Sequence, residues 1–315
     1  MSAKKPVWSE GLFVTEHHLQ QQDRYHEELV GDRLSVIQRP VWGVQELQID
    51  LEALARGQFA IVNLRAVFPD GTPVELGQGA DPLPASRDVN SRFGPALNSL
   101  AVYVAVAHEN PVRGNVSLEG SGTSRFVRDS GAVADFNAGG REHEVTWARP
   151  NVRLVLGEES TEGLSTIQIA DLLRSQTGAL LLRDTFVPPA TETSASEFLT
   201  DGLRRVAAAV TTRARAVAQT RRQRGDARVE FDAGDASKVV LLATLNRAIP
   251  RFSHLLHSGR AHPEELFLEV SSLAGELCTF VPDVDPTTFP KYNYLALGDT
   301  FEPLFARTLA LVNTT

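Results

Sequence analysis

FVPPATETSASEFLTDGLRRVAAAVTTRARAV, residues 186–217, is where the chain changes character. Pro188-Pro189 removes two backbone donors in a row, so neither a strand ladder nor a helix runs through it. Thr191–Ala195 then offers N-capping hydroxyls. Beyond them Leu199, Leu203, Val206, Val210, Ala214 and Val217 recur in steps of 4, 3, 4, 4 and 3. Alternating steps of three and four keep one apolar stripe on one helix face. Toward the C-terminus the same period continues. Gly225-Asp226 ends the first helix, and a second is predicted over Ala236–His257 with Val239, Leu242, Leu245, Ile249, Phe252 and Leu256 inward. Pro250 is expected to kink or split it. A third begins at Pro263, a residue suited to a first turn, with Leu266, Phe267, Val270, Leu273, Leu277 and Phe280 as its stripe. Pro282, Pro286 and Pro290 end it, and a last helix is predicted near Asp299–Val312.

Toward the N-terminus the period changes to two. In Gln58–Phe68 (QFAIVNLRAVF), Ala60, Val62, Leu64, Ala66 and Phe68 share one face, which predicts a half-buried strand. Asp70-Gly71 follows as a turn, and Pro69–Pro95 reads as loop. Leu100–Ala107 (LAVYVAVA) predicts a strand buried on both faces. Shorter strands are expected at Asn115–Leu118, Arg125–Arg128, Glu144–Arg149 and Val152–Leu156, separated by Gly120, Gly122, Gly131, Gly139, Gly140 and Pro150. Many short strands with such turns predict an antiparallel sandwich or barrel. The expected fold class is α+β: an antiparallel β-sandwich followed by an α-helical bundle. The expected domains are an arm over 1–28, a sandwich over 29–187 and a helical region over 188–315.

Composition narrows the function classes. At 315 residues the chain can bury a sizeable core without a staple. A net charge of −8 argues against a general phosphate-backbone binder. The lone Cys278 excludes an internal disulfide framework and fits a reducing compartment. The opening MSAKKPVWSEG has no apolar signal core, and no run of about 18 apolar residues would span a bilayer. No phosphate loop, dinucleotide fingerprint, nucleophile elbow or HExxH stands in the sequence. His18, Gln22 and His26 would share a helix face, but the i+4 partner of His18 is a glutamine, so no metal site is expected. Asp81 and Asp88, with Trp147, are the carboxylates and aromatic of an alternative reading, a carbohydrate-binding or glycosidase-like module. Arg204, Arg205, Arg213, Arg215, Arg221, Arg222, Arg224 and Arg228 form a basic run, read as a solvated helix face over a nucleic-acid stripe. Pro6–Tyr25 (PVWSEGLFVTEHHLQQQDRY) is too aromatic for a loose tail and too polar for a core. Anchors such as Trp8, Phe13 and Tyr25 among polar groups suit a partner surface.

Trp8-Ser9-Glu10-Gly11-Leu12-Phe13 and His18-Leu19-Gln20-Gln21-Gln22-Asp23-Arg24-Tyr25 resemble the opening of the TssK family, the ImpJ/VasE baseplate subunits of the bacterial type VI secretion system. Trp42-Gly43 before an acidic-hydrophobic strand, Phe68-Pro69-Asp70-Gly71-Thr72 and Phe186-Val187-Pro188-Pro189 are similar to further family marks. So are His262-Pro263 with Leu273-Ala274-Gly275-Glu276-Leu277, and Pro290-Lys291-Tyr292-Asn293. Glu16 stands where the family usually has Pro, and Tyr294 where it often has His. The family also has a domain after these helices, so a sequence ending at Thr315 is expected to be a fragment or an unusually short member.

The resemblance implies a shoulder-and-neck fold like that of phage receptor-binding proteins and a non-enzymatic homotrimer without cofactor. It implies a cytoplasmic protein docked at the inner membrane through partners. It joins the wedge subunits TssF and TssG to the membrane subunits TssL and TssM, the latter through the missing C-terminal domain. On this reading Trp8, Glu10, Phe13, His18, Gln20, Arg24 and Tyr25 meet the wedge. Leu199, Leu203, Val206, Val210 and Val217 meet the sister copies.

Overall fold

The computed structural model describes residues 3–37, 39–94, 97–117, 122–157, 159–225 and 233–315, with the backbone alone at 221, 223–225 and 233–235. Pro95, Leu118, Gly120, Asp226 and Arg228, which the sequence reading used as loop, strand end, turn, helix break and charge, lie outside the described residues. So do the side chains of Arg221 and Arg224.

The chain divides into two compact units, Met1–Val41 and Trp42–Thr315. The first holds an extended arm and helix α1 (Glu16–Ser35). Gln, Glu, Leu and Arg favour that helix, while Glu16 in its first turn and Arg33 in its last complement its dipole. The expected domain edge at residue 28 falls inside this helix.

The second unit opens with β1 (Gly43–Ile49), a short helix α2 (Leu51–Ala55), β2 (Gln58–Phe59), β3 (Ile61–Val67), β4 (Pro73–Leu76) and β5 (Arg87–Asp88). It continues through β6 (Ser99–Ala107), β7 (Val116–Ser117), β8 (Phe126–Ala134), β9 (Glu142–Pro150), β10 (Arg153–Leu156), β11 (Leu164–Arg174) and β12 (Leu180–Leu182). One sheet is ordered β1-β3-β4 and another β10-β6-β11-β12, both antiparallel. Val44, Leu64, Ala66, Val74 and Leu76 of the first share one apolar core with Leu100, Val102, Val104, Leu154, Ile167 and Leu172 of the second. That shared core makes the two sheets a sandwich.

Several expected details shift. Gln58–Phe68 is two strands, and its inward face changes parity. Phe59 and Ile61 point to the core, then Leu64, Ala66 and Phe68 do, while Val62 is 42% exposed. Gln48 pairs with Asn63 and Ile49 with Ile61, so Val62 is the extra residue of a bulge. Strict alternation had placed Val62 inside. Leu100–Ala107 is the middle of the larger sheet, flanked by β10 and β11, and its Val102, Val104 and Val106 are fully buried. The expected loop contains β4 and β5. Gly131, expected to separate strands, lies inside β8, which pairs with β9 along its whole length. The 11-residue β11 was not anticipated, because Ser165 occupies an inward position and a register shift between Gln168 and Ala170 breaks its alternation.

Four α-helices follow among the described residues: α3 (Glu197–Gly225), α4 (Ala233–Ser258), α5 (Pro263–Leu277) and α6 (Leu297–Thr314). Pro250 lies inside α4 without ending it. The buried face of α4 is Leu241, Leu245, Ala248, Phe252 and Leu255, whereas Val239 is exposed. Gly202 lets α3 approach α6; a Cβ there would stand 2.1 Å from the Phe305 ring.

The apolar stripe of α3, expected to meet sister copies, is covered within the chain itself. Leu199, Leu203, Val206, Val210 and Val217 keep 0 to 7% exposure within the single chain. They belong to one core with Leu245, Phe252, Leu266, Val270, Phe301 and Leu304 of the neighbouring helices. A four-helix bundle uses a stripe of this width on every helix. Periodicity predicts that such a stripe is covered and is silent on whose helix covers it.

Candidate partner-binding surface and interdomain joint

The arm lies along one side of α1. The Gln21 side-chain amide donates to the Lys4 carbonyl at 3.1 Å, and the Ala3 N–H donates to the Glu28 carboxylate at 2.5 Å. Thr15, the N-cap, places its N–H and hydroxyl 3.2 and 2.9 Å from His18 Nδ1. The Trp8 ring stands 6.2 Å from the His18 ring, and Tyr25 meets His26 edge-on at 5.5 Å. His18, Gln21, Gln22, Tyr25 and Glu28 are therefore half-buried.

The structure thus gathers Trp8 with His18. Glu10, Gln20 and Arg24 are exposed, and Phe13 is 85% exposed. No residue of α1 is buried at all. A face that sequence reading passed over carries Leu19, Val30 and Leu34, each exposed. Eleven residues are about three helical turns and four about one, so these three lie in one row about 22 Å long. The signal was present as apolar spacing among glutamines and histidines. Exposed apolar groups in one row mark an interaction surface.

A second constellation joins sandwich to helices. Trp42-Gly43, Pro188-Pro189, His262-Pro263 and Tyr294, far apart in sequence, converge. The Val44 N–H donates to the Pro189 carbonyl at 2.8 Å, and the Thr191 N–H to the Val44 carbonyl at 3.0 Å. The Tyr294 hydroxyl donates to the Trp42 carbonyl, and the two rings meet edge-on at 5.2 Å. His262 stacks on Tyr294 at 5.8 Å and caps α5 by accepting the Glu264 N–H on Nδ1 at 3.1 Å. Gly43 is needed here: its φ is +130°, and a Cβ would stand 2.5 Å from the Tyr294 hydroxyl. Burial pushes the Tyr294 hydroxyl's pKa up, with a smaller contribution from Tyr292, so it stays a neutral donor. The motif residues thus do mechanical work, fixing one domain on the other.

The Phe68–Thr72 motif makes a second clamp. Asp70 accepts the Thr72 N–H at 3.1 Å and its hydroxyl at 2.7 Å. Arg125 donates to the Asp70 carboxylate at 2.8 Å, the Ala107 carbonyl at 2.7 Å and the Thr72 hydroxyl at 2.5 Å. Burial pushes the Asp70 carboxyl up, but the hydrogen bonds from Arg125 and Thr72 and the Arg125 charge outweigh it, holding its pKa below the ordinary carboxylate value.

The alternative chemistries are not assembled. Asp81 lines an open cleft of about 590 Å³ with Gln45, Arg65 and Glu75; neither Asp88 nor Trp147 lines it. Asp88 instead accepts the Asn90 N–H, and Trp147 stands on β9. A larger open groove of about 830 Å³ lies between β1, β12 and the start of α3, where Asp171 pairs with Arg183 and Arg204 with Asp201. The Cys278 thiol is buried, donates to the Ala274 carbonyl at 3.2 Å and has its pKa raised by burial. Among the described residues, no helix is long and apolar enough to cross a membrane.

Comparison with known proteins places this arrangement. Residues 18–315 match the family model "Bacterial Type VI secretion, VC_A0110, EvfL, ImpJ, VasE". The chain is 31% identical to the type VI secretion system baseplate component TssK1 of Pseudomonas aeruginosa strain PAO1, over 95% of this chain and 66% of that protein. It therefore spans just under two thirds of that relative. Its fold is similar to a chain in a structure of the type VI baseplate complex, with a TM-score of 0.87, 26% identity and coverage of 99% of this chain and 100% of that one. It is also similar to a chain of a TssK-TssF-TssG baseplate subcomplex, with a TM-score of 0.85, 25% identity and coverage of 98% and 99%. With the family model matched along nearly its whole length, the chain belongs to the bacterial type VI secretion family of ImpJ and VasE, the TssK family.

Proposed function

We propose that the chain is a non-enzymatic, trimeric adaptor of the type VI baseplate. It works in the cytoplasm, holds the wedge subunits TssF and TssG, and connects them to the inner membrane through TssL and TssM. One observation carries the wedge contact. The first unit presents a helix with no buried side chain, a row of exposed Leu19, Val30 and Leu34, and an exposed Phe13. Covering a Leu, Val or Phe contributes about 1.5 to 3 kcal/mol each. Three copies of such a surface on one assembly multiply a modest affinity without new chemistry. The relative solved with TssF and TssG makes those two the natural occupants.

The test is capture of TssF and TssG by the full chain, by a chain lacking residues 1–28, and by Leu19→Asp with Val30→Asp. Capture is expected to fall at least tenfold in both variants. Undiminished capture would move the contact to the sandwich. Light scattering of the full chain is expected to give three times 34.3 kDa; a strict monomer at high concentration would end the adaptor reading.

A further inference from the structure

The Trp8–Phe13 and His18–Tyr25 motifs meet where the arm turns back onto α1. The Leu12 N–H donates to the Ser9 carbonyl at 3.2 Å, closing a turn over Ser9–Leu12. Gly11 stands at its third position with φ +80°, as a type II turn requires. Residues before the turn run antiparallel to the helix: Trp8 meets His18, Lys4 meets Gln21 and Ala3 meets Glu28. At about 100° per residue, His18, Gln21, Tyr25 and Glu28 share one face of α1, and Leu19, Val30 and Leu34 lie away from it. The arm thus covers the polar side of the helix and leaves the apolar row open.

One junction in this fold-back depends on a titratable group. Thr15 and His18 form a capping box, with His18 in the position that Glu or Gln usually fills. The Thr15 N–H, which can only donate, lies 3.2 Å from His18 Nδ1, and the Thr15 hydroxyl lies 2.9 Å from the same atom. Nδ1 is therefore the acceptor, and the ring proton sits on Nε2. A second proton on the ring removes that acceptor. It also sets a positive charge in the first turn of α1, against the helix dipole. Around the ring stand Thr15 and Trp8, neither of them charged, and Gln22 one turn further on is neutral. The neighbouring Glu16 and His17 lie 3.5 Å from each other, and the arm's Lys4, Lys5 and Glu10 are exposed. Among the described residues no carboxylate pairs with His18 to hold a proton on it.

We infer that neutral His18 is the clasp that holds the arm on α1, and that protonation of its imidazole releases the arm. The inference rests on the wedge contact proposed above and names a control on it. With the clasp closed, Trp8 and Phe13 are displayed from a fixed base, which spares the ordering cost of association. With it open, the same side chains hang from a loose one. His18 acts through the posture of the arm and is a positioning residue.

Hydrogen exchange over Leu12–Leu19 of the full chain, corrected for the intrinsic pH dependence of exchange, tests it. The series runs from about pH 8 to about pH 5, the range in which an imidazole takes up its proton. The wild-type chain is expected to lose about fivefold in protection across that range, the effect of a typical cap. His18→Gln keeps an acceptor throughout and is expected to hold its protection level. His18→Ala is expected to show the acid value at every pH, and His17→Gln to follow wild type. Level protection in wild type, or the same fall in His18→Gln, overturns the clasp. Capture of TssF and TssG at the two ends of the range separates the clasp from the wedge reading. Capture is expected to fall with protection in wild type and to stay level in His18→Gln. If protection falls as expected and capture does not, the clasp stands and the wedge contact moves off the arm.

Discussion

Replacing Arg125 by Met removes a guanidinium, on a residue that is 8% exposed, that holds three oxygens at once, on Asp70, Thr72 and Ala107. Methionine keeps most of the volume, so the loss is electrostatic rather than a cavity. The Asp70 side chain, 20% exposed, is then left in its pocket without a cation. Breaking such a pair from one side costs about 3 to 4 kcal/mol at neutral pH, or roughly 6 to 16 °C in melting temperature for a domain of this size. The cost is not the sum of three hydrogen bonds, because the stranded carboxylate is most of it. Asp70→Asn in the same background is therefore expected to recover about half the loss. The pH dependence has a definite sign. The folded Asp70 pKa is depressed below its ordinary 3.8, so its stabilisation is complete above that value and is lost as pH falls through the folded pKa. The gap between wild type and Arg125→Met narrows correspondingly below about pH 4. Calorimetry across pH 3 to 7 reads both effects, and hydrogen exchange over residues 126–150 reads the loosening of the β8–β9 pair. A loss below 1 kcal/mol, or an equal loss with Asn at position 70, would refute the clamp.

Other expected outcomes bear on the joint and the bundle. Tyr294→Phe leaves the Trp42 carbonyl without its donor and is expected to cost about 1 to 2 kcal/mol, read by denaturant unfolding; an unchanged midpoint would show the bond to be idle. Gly43→Ala forces a Cβ to 2.5 Å from the Tyr294 hydroxyl and 2.7 Å from the Pro189 carbonyl oxygen, and is expected to cost about 2 kcal/mol or more; a Tyr294→Phe background should recover only part of it, because Pro189 remains. Leu203→Asp puts a charge into a site 2% exposed and is expected to unfold the helical core, not to yield folded single copies; a folded, dissociated product by light scattering and circular dichroism would reinstate the stripe as an interface. Phe13→Asp is expected to leave stability within about 0.5 kcal/mol while weakening wedge capture, since its side chain is already in solvent.

The helical half was legible because its period is long and its punctuation strong. Pro263 opens α5 where expected, and α6 begins two residues before the predicted start. On α4, Leu245 and Phe252 are buried as expected and Leu242, Ile249 and Leu256 pack half-buried on the same core; Val239 alone of that set is exposed, and tertiary packing buries Leu241, Ala248 and Leu255 beside them. The sandwich was less legible. A bulge at Val62 and a register shift near Ile169 each reset the alternation by one residue, and a period of two has no tolerance for that. The joint at Tyr294 could be quoted as separate motifs but not assembled, since nothing local links Trp42 to a tyrosine 252 residues away.

The reversal over α3 carries the wider lesson about reading partners from pattern. Leu199–Val217 showed the stronger apolar stripe, and the bundle consumes it entirely. Leu19, Val30 and Leu34 form a weaker row on a mostly polar helix, yet they remain exposed. A strong stripe is the expected product of folding, because each helix must cover its own apolar face before any assembly begins. A weak stripe that folding leaves uncovered is the better pointer to another protein, since a chain gains no folding stability from apolar groups held in solvent.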